Sequence, residues 1–240
     1  MAMLFFMRHH LTTEEAKERM ETMSFFELIR ENGLYLLAAM GKTLELTFLS
    51  LVFAAVIGLF FGLLNVSKNR VLNVIANVYI DCIRGVPLIV LAFFVYFGVP
   101  MATGVRLTAL VAGIISLSMN AGAYMAEIVR AGIQSIDKGQ MEAARSLGLP
   151  YGTAMRKVVL PQAIKVMIPS IINQFIITLK DTSILSVIGF PELVKAGQIV
   201  IARNFETFKM WAIIGIMYLI VITTLSKIAR ALERKISYGK

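Results

Sequence analysis

The 240-residue chain is poor in the residue types that form covalent links and reactive centres. Its one cysteine, Cys82, permits no disulfide within the chain, and its two histidines, His9 and His10, both lie near the N-terminus. No cysteine and histidine cluster is available to hold a metal, and no histidine can activate a nucleophile inside a membrane. This shortage weighs strongly against an intramembrane enzyme and predicts no cofactor in this chain.

A complete nucleotide-binding loop is also lacking. Gly41-Lys42-Thr43 matches the end of a phosphate-binding loop, but Leu36 stands where the first glycine is required. We therefore expect any ATP and magnesium that the protein depends on to be bound by another chain.

Charge is scarce and long apolar runs are abundant. Only 16% of the residues are charged and 58% are hydrophobic, whereas soluble domains carry about 25% charged residues. The first run, Leu46 to Val66, has 21 uncharged residues, enough to cross a hydrocarbon core of about 30 Å. The pattern predicts an all-α, polytopic membrane protein with five transmembrane helices. The other four spans are placed within Val71–Val105 after an interfacial helix, and at Leu107–Val129, Ala163–Leu179 and Met210–Ser226.

The distribution of lysine and arginine predicts the orientation. Cations are concentrated at 68–70, 130–165 and 227–240, whereas the opposite short loops hold only Arg106, Lys195, Arg203 and Lys209. By the positive-inside rule, the segments rich in cations are cytoplasmic, the C-terminus is cytoplasmic and the N-terminus is outside. The net charge of +9 is therefore interpreted as a topology signal and not as a nucleic-acid-binding surface.

Two further helices are predicted outside the spans. Thr12 with Glu15 forms a possible capping box for a charged interfacial helix that ends near Glu31. The segment Glu192–Phe208 is amphipathic, with Phe205 among the residues on its apolar side, and a delivery protein could contact it from outside.

The segment Lys138–Pro161 is a polar, basic insert between apolar spans. Met141, Ala144 and Leu147 recur at helical spacing, and Gly148 with Pro150 ends this first helix. A second short helix is predicted from Tyr151 to Val159, with Leu160-Pro161 as its end. The pattern predicts a cytoplasmic helical hairpin.

This segment resembles the EAA loop of permeases of type I ABC importers. The resemblance is carried by Glu142-Ala143-Ala144, by Gly148 six residues after the glutamate, and by Leu160-Pro161; Val158 stands where the family usually has isoleucine. An ordinary interfacial hairpin is the alternative interpretation. The resemblance implies that Glu142, Ala143, Ala144, Gly148, Leu160 and Pro161 couple the spans to a separate ATPase.

Other motifs are similar to the polar amino acid permeases of that family. They are the run Tyr79–Pro87, the run Ser118–Gln134 in span three, and Leu179-Lys180-Asp181-Thr182-Ser183. For the charges among them, simple pairing is an alternative: Asp81 with Arg84, and Glu127 with Arg130.

Five polar residues are candidates for the substrate path. Asn120 lies deep in span three, where it could bind a neighbouring helix or a passing ligand. Lys180 and Asp181 offer a cation and an anion to a zwitterionic amino acid, or they could form an internal ion pair at a break between helices. The full set is Asn120, Asn173, Lys180, Asp181 and Thr182.

The resemblance covers about Gly41 to Ala231 and implies a division of the chain. Residues 1–40 form an extracytoplasmic or interfacial segment, 41–231 the transmembrane domain, and 232–240 a cytoplasmic basic tail. It also implies a second permease subunit, identical or different, two cytoplasmic ATPase subunits and an external substrate-binding protein. Two alternatives are an ATP-independent secondary transporter or channel, for which inverted repeats are expected and none is found, and a membrane scaffold without a transport role.

Overall fold

The computed structural model describes residues 23–238, with side chains up to Ala231 and at Glu233, and this part of the chain contains helices and no strand. Three helices, Phe25–Asn65, Ala109–Gln134 and Tyr151–Ile188, and the part of a fourth from Thr207 to Ala231 are each long and apolar enough to cross a membrane. The bent pair Arg70–Arg84 and Leu88–Thr103 supplies a fifth crossing if it counts as one span. The prediction of an all-α protein with five spans agrees with this arrangement.

Helix α1 (Phe25–Asn65) contains the first span and starts well before it. Ser24 and Glu27 form a capping box, in which the Ser24 hydroxyl accepts from the Glu27 N–H at 3.2 Å and the Glu27 carboxylate accepts from the Ser24 N–H at 2.7 Å. The predicted helix end near Glu31 is wrong, because no proline interrupts the helix before Asn65. The predicted capping box at Thr12 and Glu15 lies outside the described residues.

Helices α2 (Arg70–Arg84) and α3 (Leu88–Thr103) meet at a bend of 98°. The Asn69 side chain caps α2 by accepting from the Val71 N–H at 2.9 Å, and Pro87 precedes the first turn of α3. Because proline disfavours the helical conformation in the residue before it, the chain turns there. The predicted helix that runs into span two is confirmed as this bent pair, and the interfacial position of α2 stays a prediction.

Helix α4 (Ala109–Gln134) runs parallel to α1 at very short range. A Cβ added to Gly62 would lie 2.6 Å from Val129 Cβ and 2.9 Å from the Ala126 carbonyl oxygen. The Ser118 hydroxyl also donates to the Ser50 carbonyl oxygen at 3.1 Å. The G-x-x-x-G pattern of Gly58 and Gly62 therefore marks a true close approach between helices.

Helix α5 (Lys138–Ser146) is followed by α6 (Tyr151–Ile188), which contradicts the predicted helix end at Leu160-Pro161. A π turn at Met155–Val159 precedes Pro161, and regular α-helix continues from Leu160 to Asp181. The proline lies in the first turn of this α-helical segment, where a missing N–H disrupts little. Near its C-terminal end the helix tightens to 3₁₀ winding over Thr182–Ile188 and stops at Gly189, whose φ is +80°.

The last two helices are α7 (Leu193–Asn204) and α8 (Thr207–Tyr238). Leu193, Ala196 and Val200 of α7 are buried in a core shared with α1 and α8, which confirms the amphipathic pattern. Phe205 was predicted on the apolar side, but its side chain is 84% exposed. It ends α7 in the left-handed conformation, with a φ of +60°, and this turn directs the side chain away from the core.

Candidate coupling hairpin and substrate groove

The first helix of the hairpin starts at a side-chain cap. The Asp137 carboxylate accepts from the Gly139 N–H at 2.6 Å, which satisfies one of the free donors of the first turn of α5. Within α5, Glu142 and Ala143 are exposed and Ala144 is buried. The helix therefore presents Glu142 and Ala143 to the surface and uses Ala144 for packing.

The hairpin turn closes with a Schellman motif. The Leu149 N–H donates to the Ala144 carbonyl oxygen at 3.2 Å, and the Gly148 N–H donates to the Arg145 carbonyl oxygen at 2.9 Å. Gly148 has a φ of +84°, in the left-handed region that favours glycine. Leu147, just before it, is 83% exposed, so the turn also leaves a large apolar side chain on the surface.

The hairpin is anchored to the adjacent ends of the spans by apolar packing. Met141, Met155 and Leu160 pack against a buried cluster of Ile133, Val159, Ala163 and Met167. Leu160, predicted as a coupling residue, therefore contributes to this anchor, whereas Pro161 is exposed. The hairpin and the span are also joined directly, because α6 continues from one into the other.

A groove of about 450 Å³ lies between α4 and α6. Its polar lining residues are Tyr124, Glu127, Ser170, Asn173 and Gln174. The groove combines a carboxylate, two amides and two hydroxyl groups with apolar walls, which suits a small polar ligand.

The Glu127 carboxylate at this groove has two arginine neighbours. Arg130 donates to both of its oxygens, which confirms the predicted Glu127–Arg130 pair. Arg84 lies 4.0 Å from the carboxylate and 5.1 Å from the centroid of the Tyr124 ring. The predicted pairing of Arg84 with Asp81 is wrong, because the end of α2 lies over α4 and brings Arg84 to Glu127.

The five predicted substrate-path residues are not equivalent in the structure. Asn173 lines the groove, whereas Asn120 is buried in α4 and its side chain has no hydrogen-bond partner among residues 23–238. Lys180 is exposed and Asp181 is half-buried. Thr182 is buried and its hydroxyl donates to the Leu179 carbonyl oxygen at 2.7 Å, a contact within its own helix.

Sequence reasoning missed a polar junction near the start of α7. Glu192 is fully buried and accepts from the N–H groups of Val194 and Lys195 at 2.7 and 2.6 Å, and from the Tyr218 hydroxyl at 3.2 Å. The Thr43 hydroxyl of α1 accepts from the Leu193 N–H at 3.2 Å. Burial raises the pKa of the Glu192 carboxyl to about 7, although these hydrogen bonds oppose the shift. A glutamate directly before a predicted helix was the available signal for this cap.

Comparisons with known proteins agree with this architecture. Residues 54–238 match the family described as binding-protein-dependent transport system inner membrane component. The chain is 41% identical over 194 residues to the glutamine transport system permease protein of Escherichia coli (strain K12), covering 80% of this chain and 89% of that protein. It is 39% identical to a putative glutamine transport system permease protein of Rickettsia bellii, covering 81% of this chain and 89% of that protein.

A crystal structure of an amino acid ABC transporter with histidines has a similar chain. The two share a TM-score of 0.84 and 39% identity over 89% of this chain and 99% of that one. A methionine ABC transporter structure at 23% identity, with a TM-score of 0.73 over 84% of this chain and 96% of that one, shares the fold. The proteins of this family are transport subunits, and ATP is hydrolysed by a separate subunit. The chain therefore belongs to the family of binding-protein-dependent transport system inner membrane components, as the multi-pass permease subunit of an amino acid ABC importer.

Proposed function

We propose that this permease imports a polar amino acid of the glutamine type and that the hairpin of α5 and the start of α6 is the surface on which the ATPase docks. The cargo is suggested by the relatives named as glutamine permeases and by the amides and carboxylate of the groove. ATP and magnesium belong to the ATPase, and an external binding protein delivers the substrate. A pair of permease subunits, identical or different, completes the assembly.

The observation that carries the coupling proposal is the closed turn at Gly148. It holds the exposed face of α5, with Glu142 and Ala143, at a defined angle to α6. The small side chain of Ala143 lets α5 pack closely in a cleft of the ATPase, and the Glu142 carboxylate can orient α5 in that cleft. Ala144 and Leu160 attach this face to the spans, and Pro161 is an exposed residue in the first turn of the α-helical segment that leads from the hairpin into the span.

We place the hairpin in the cytoplasm, the N-terminus outside and the C-terminus inside. The excess of lysine and arginine in the hairpin and after Lys227 supports this orientation. Labelling of a cysteine introduced at Arg145 by a membrane-impermeant reagent added from outside the cell would contradict it.

For the substrate path we propose the groove lined by Asn173 and Glu127, with Asn120, Lys180, Asp181 and Thr182 as further candidates along the route. The arginine neighbours of Glu127 keep its carboxylate charged and oriented. An amide at Asn173 can donate to a substrate carboxylate and accept from its ammonium group. The groove therefore offers the complement of a zwitterion with a polar side chain.

The coupling proposal is tested by Gly148→Ala. A residue with a Cβ at a φ of +84° costs about 1 to 2 kcal/mol, so the closed turn should lose roughly five- to thirtyfold in population relative to open forms. In proteoliposomes with the ATPase and binding protein, substrate-stimulated ATP hydrolysis and uptake should fall together. Gly152→Ala is the matched control, because the φ of Gly152 is outside the left-handed region and no atom lies within 4 Å of an added Cβ. Normal stimulation in Gly148→Ala would contradict the proposal.

The path proposal is tested by Asn173→Leu. We expect substrate-stimulated ATP hydrolysis to persist while uptake falls, because each lost hydrogen bond in a polar site costs about 1 to 3 kcal/mol. Thr223→Leu is the control, since Thr223 is exposed on α8 and does not line the groove. Unchanged uptake kinetics in Asn173→Leu would remove the groove from the path.

A further inference from the structure

A second cavity lies on the cytoplasmic side, behind the coupling hairpin. It has a volume of about 620 Å³, within the range of small-molecule sites. One wall is the end of α1 with the start of α2, and the other is the end of α4 with the starts of α5 and α6. The cavity therefore lies between the hairpin and the spans that the hairpin moves.

The polar residues that line this cavity include both hydrogen-bond donors and acceptors that are not used within the described residues. Gln134 accepts from Arg130 through its oxygen at 2.6 Å, which leaves its NH₂ group without a partner among the described residues. The Lys138 ammonium group likewise has no partner in this part of the chain. Two donors for an anionic group therefore line the same cavity.

Acceptors lie beside these donors. One oxygen of Asp137 accepts from the Gly139 N–H and the other has no hydrogen bond from residues 23–238. The Asn65 amide donates to Asn77 at 2.7 Å, which leaves its own oxygen available. A carboxylate and an amide oxygen can together accept from a ligand ammonium group.

The rest of the lining is apolar. Ile133, Met141 and Met155 contribute the largest apolar side chains. Methionine adapts its shape to different ligands, so this wall can accept the alkyl part of several small molecules. A nucleotide would place its phosphates near Asp137, and a bare cation would meet Lys138, so the mixed charge favours a zwitterion.

We propose that this cavity binds a free amino acid from the cytoplasm and that the bound amino acid inhibits the importer. The ligand carboxylate would contact Lys138 and Gln134, and its ammonium group would contact Asp137 and Asn65. These contacts join the start of α5 to the ends of α1 and α4.

Inhibition follows from the position of the cavity. The hairpin must move relative to the ends of α1 and α4 when the ATPase closes, and this movement changes the shape of the cavity. A ligand that contacts both walls binds one arrangement of the walls more tightly than the others. It therefore lowers the population of the other arrangements by the ratio of these affinities. The two walls already touch, because Val66 packs against the apolar cluster that includes Ile133 and Val159, and the Lys68 ammonium group lies 4.9 Å from the centroid of the Tyr151 ring.

The test uses the complete importer in proteoliposomes with the ATPase facing the bath and the binding protein with L-glutamine in the lumen. L-glutamine added to the bath should lower ATP hydrolysis in a saturable way. Asp137→Asn and Lys138→Met should each raise the half-inhibitory concentration at least about tenfold, because each removes a charge-assisted hydrogen bond to the ligand. Asparagine caps a helix as well as aspartate does, so Asp137→Asn preserves α5.

Lys157→Met is the matched control, since Lys157 is an exposed cation of the same hairpin that does not line the cavity, and this variant should keep the inhibition. The ATP hydrolysis rate of each variant in the presence of bath glutamine is compared with the rate of the same variant before glutamine is added. The starting rate reports importer activity separately from inhibition. Liposomes made without phosphatidylethanolamine exclude its headgroup, the other source of an ammonium and an oxyanion. The proposal is overturned if bath glutamine does not inhibit the wild type, or if both cavity variants are inhibited at the wild-type concentration.

Discussion

The close approach of α1 and α4 at Gly62 makes the substitution Gly62→Ala a sharp test of the packing. The added Cβ would lie 2.6 Å from Val129 Cβ and 2.9 Å from the Ala126 carbonyl oxygen, where ordinary contacts begin at 3.4 Å. Both neighbours belong to, or are attached directly to, the backbone of α4, so neither can rotate away. The two helices must separate by about 0.8 Å at this level, the difference between 3.4 and 2.6 Å.

The cost of this separation can be bounded. A gap of 0.5 to 1 Å removes roughly a quarter to a half of the dispersion energy of each contact, and overpacking in cores costs about 1 to 3 kcal/mol. Since lipid tails are as apolar as the helix surfaces, no hydrophobic gain offsets the lost packing. We expect Gly62→Ala to shift the unfolding equilibrium by about thirtyfold, which corresponds to about 2 kcal/mol.

The assay is reversible unfolding of the purified permease in mixed micelles, followed by helix content. The control is Gly41→Ala in the same helix, where nothing lies within 4 Å of the added Cβ. Alanine is the better helix former, so this variant should be neutral or slightly more stable. If Gly62→Ala unfolds with the wild-type midpoint, the two helices do not pack at the distance described here.

Two further predictions concern polar contacts. In the folded protein the pKa of the Glu192 carboxyl is about 7, raised by burial above its ordinary 4.5. The folded chain therefore binds more protons than the unfolded chain between these values, and the free energy of unfolding should fall as pH rises through this range. Thermal unfolding from pH 4 to 8 should show this fall in the wild type and lose it in Glu192→Gln; an equal pH dependence in both would contradict the assignment. Asn77 accepts from Asn65 at 2.7 Å and donates to Asn73 at 2.9 Å, so Asn77→Leu should destabilise the junction of α1 and α2 by about 1 to 3 kcal/mol. Hydrogen exchange at Asn73 should accelerate in this variant, and unchanged exchange would show that the contact contributes little.

The spans and the hairpin could be predicted because their signals are local. Uncharged runs of about 20 residues identify spans by composition alone, and the glycine and proline after Leu147 mark the hairpin turn. The helix end predicted at Pro161 was wrong, because a π turn lies just before this proline and α-helix continues after it. No sequence pattern predicts such a turn.

Contacts between distant segments could not be predicted. Arg84 has an acidic residue three positions before it, yet its partner Glu127 lies 43 residues away on another helix. The Glu192 junction likewise draws Tyr218 and Thr43 from two other helices. In the candidate substrate path, Asn173 alone of the five predicted residues lines the described groove, because the face of α6 that meets α4 depends on the packing of both helices.

Because α6 is continuous from the hairpin through a span, the whole helix can rotate as one lever. The helix rests on α4 where Met167 packs against Gly132, 16 residues from Tyr151 and 21 residues from Ile188. At 1.5 Å per residue the arm toward Tyr151 is about 24 Å long, and the arm toward Ile188, whose last seven residues rise by about 2 Å each as a 3₁₀ helix, is about 35 Å long. If that contact acts as a fulcrum and the ATPase docks on the hairpin as proposed, a push on the hairpin moves the far end of α6 in the opposite direction and about half as far again, so one rotation changes the two ends of the substrate path in opposite senses.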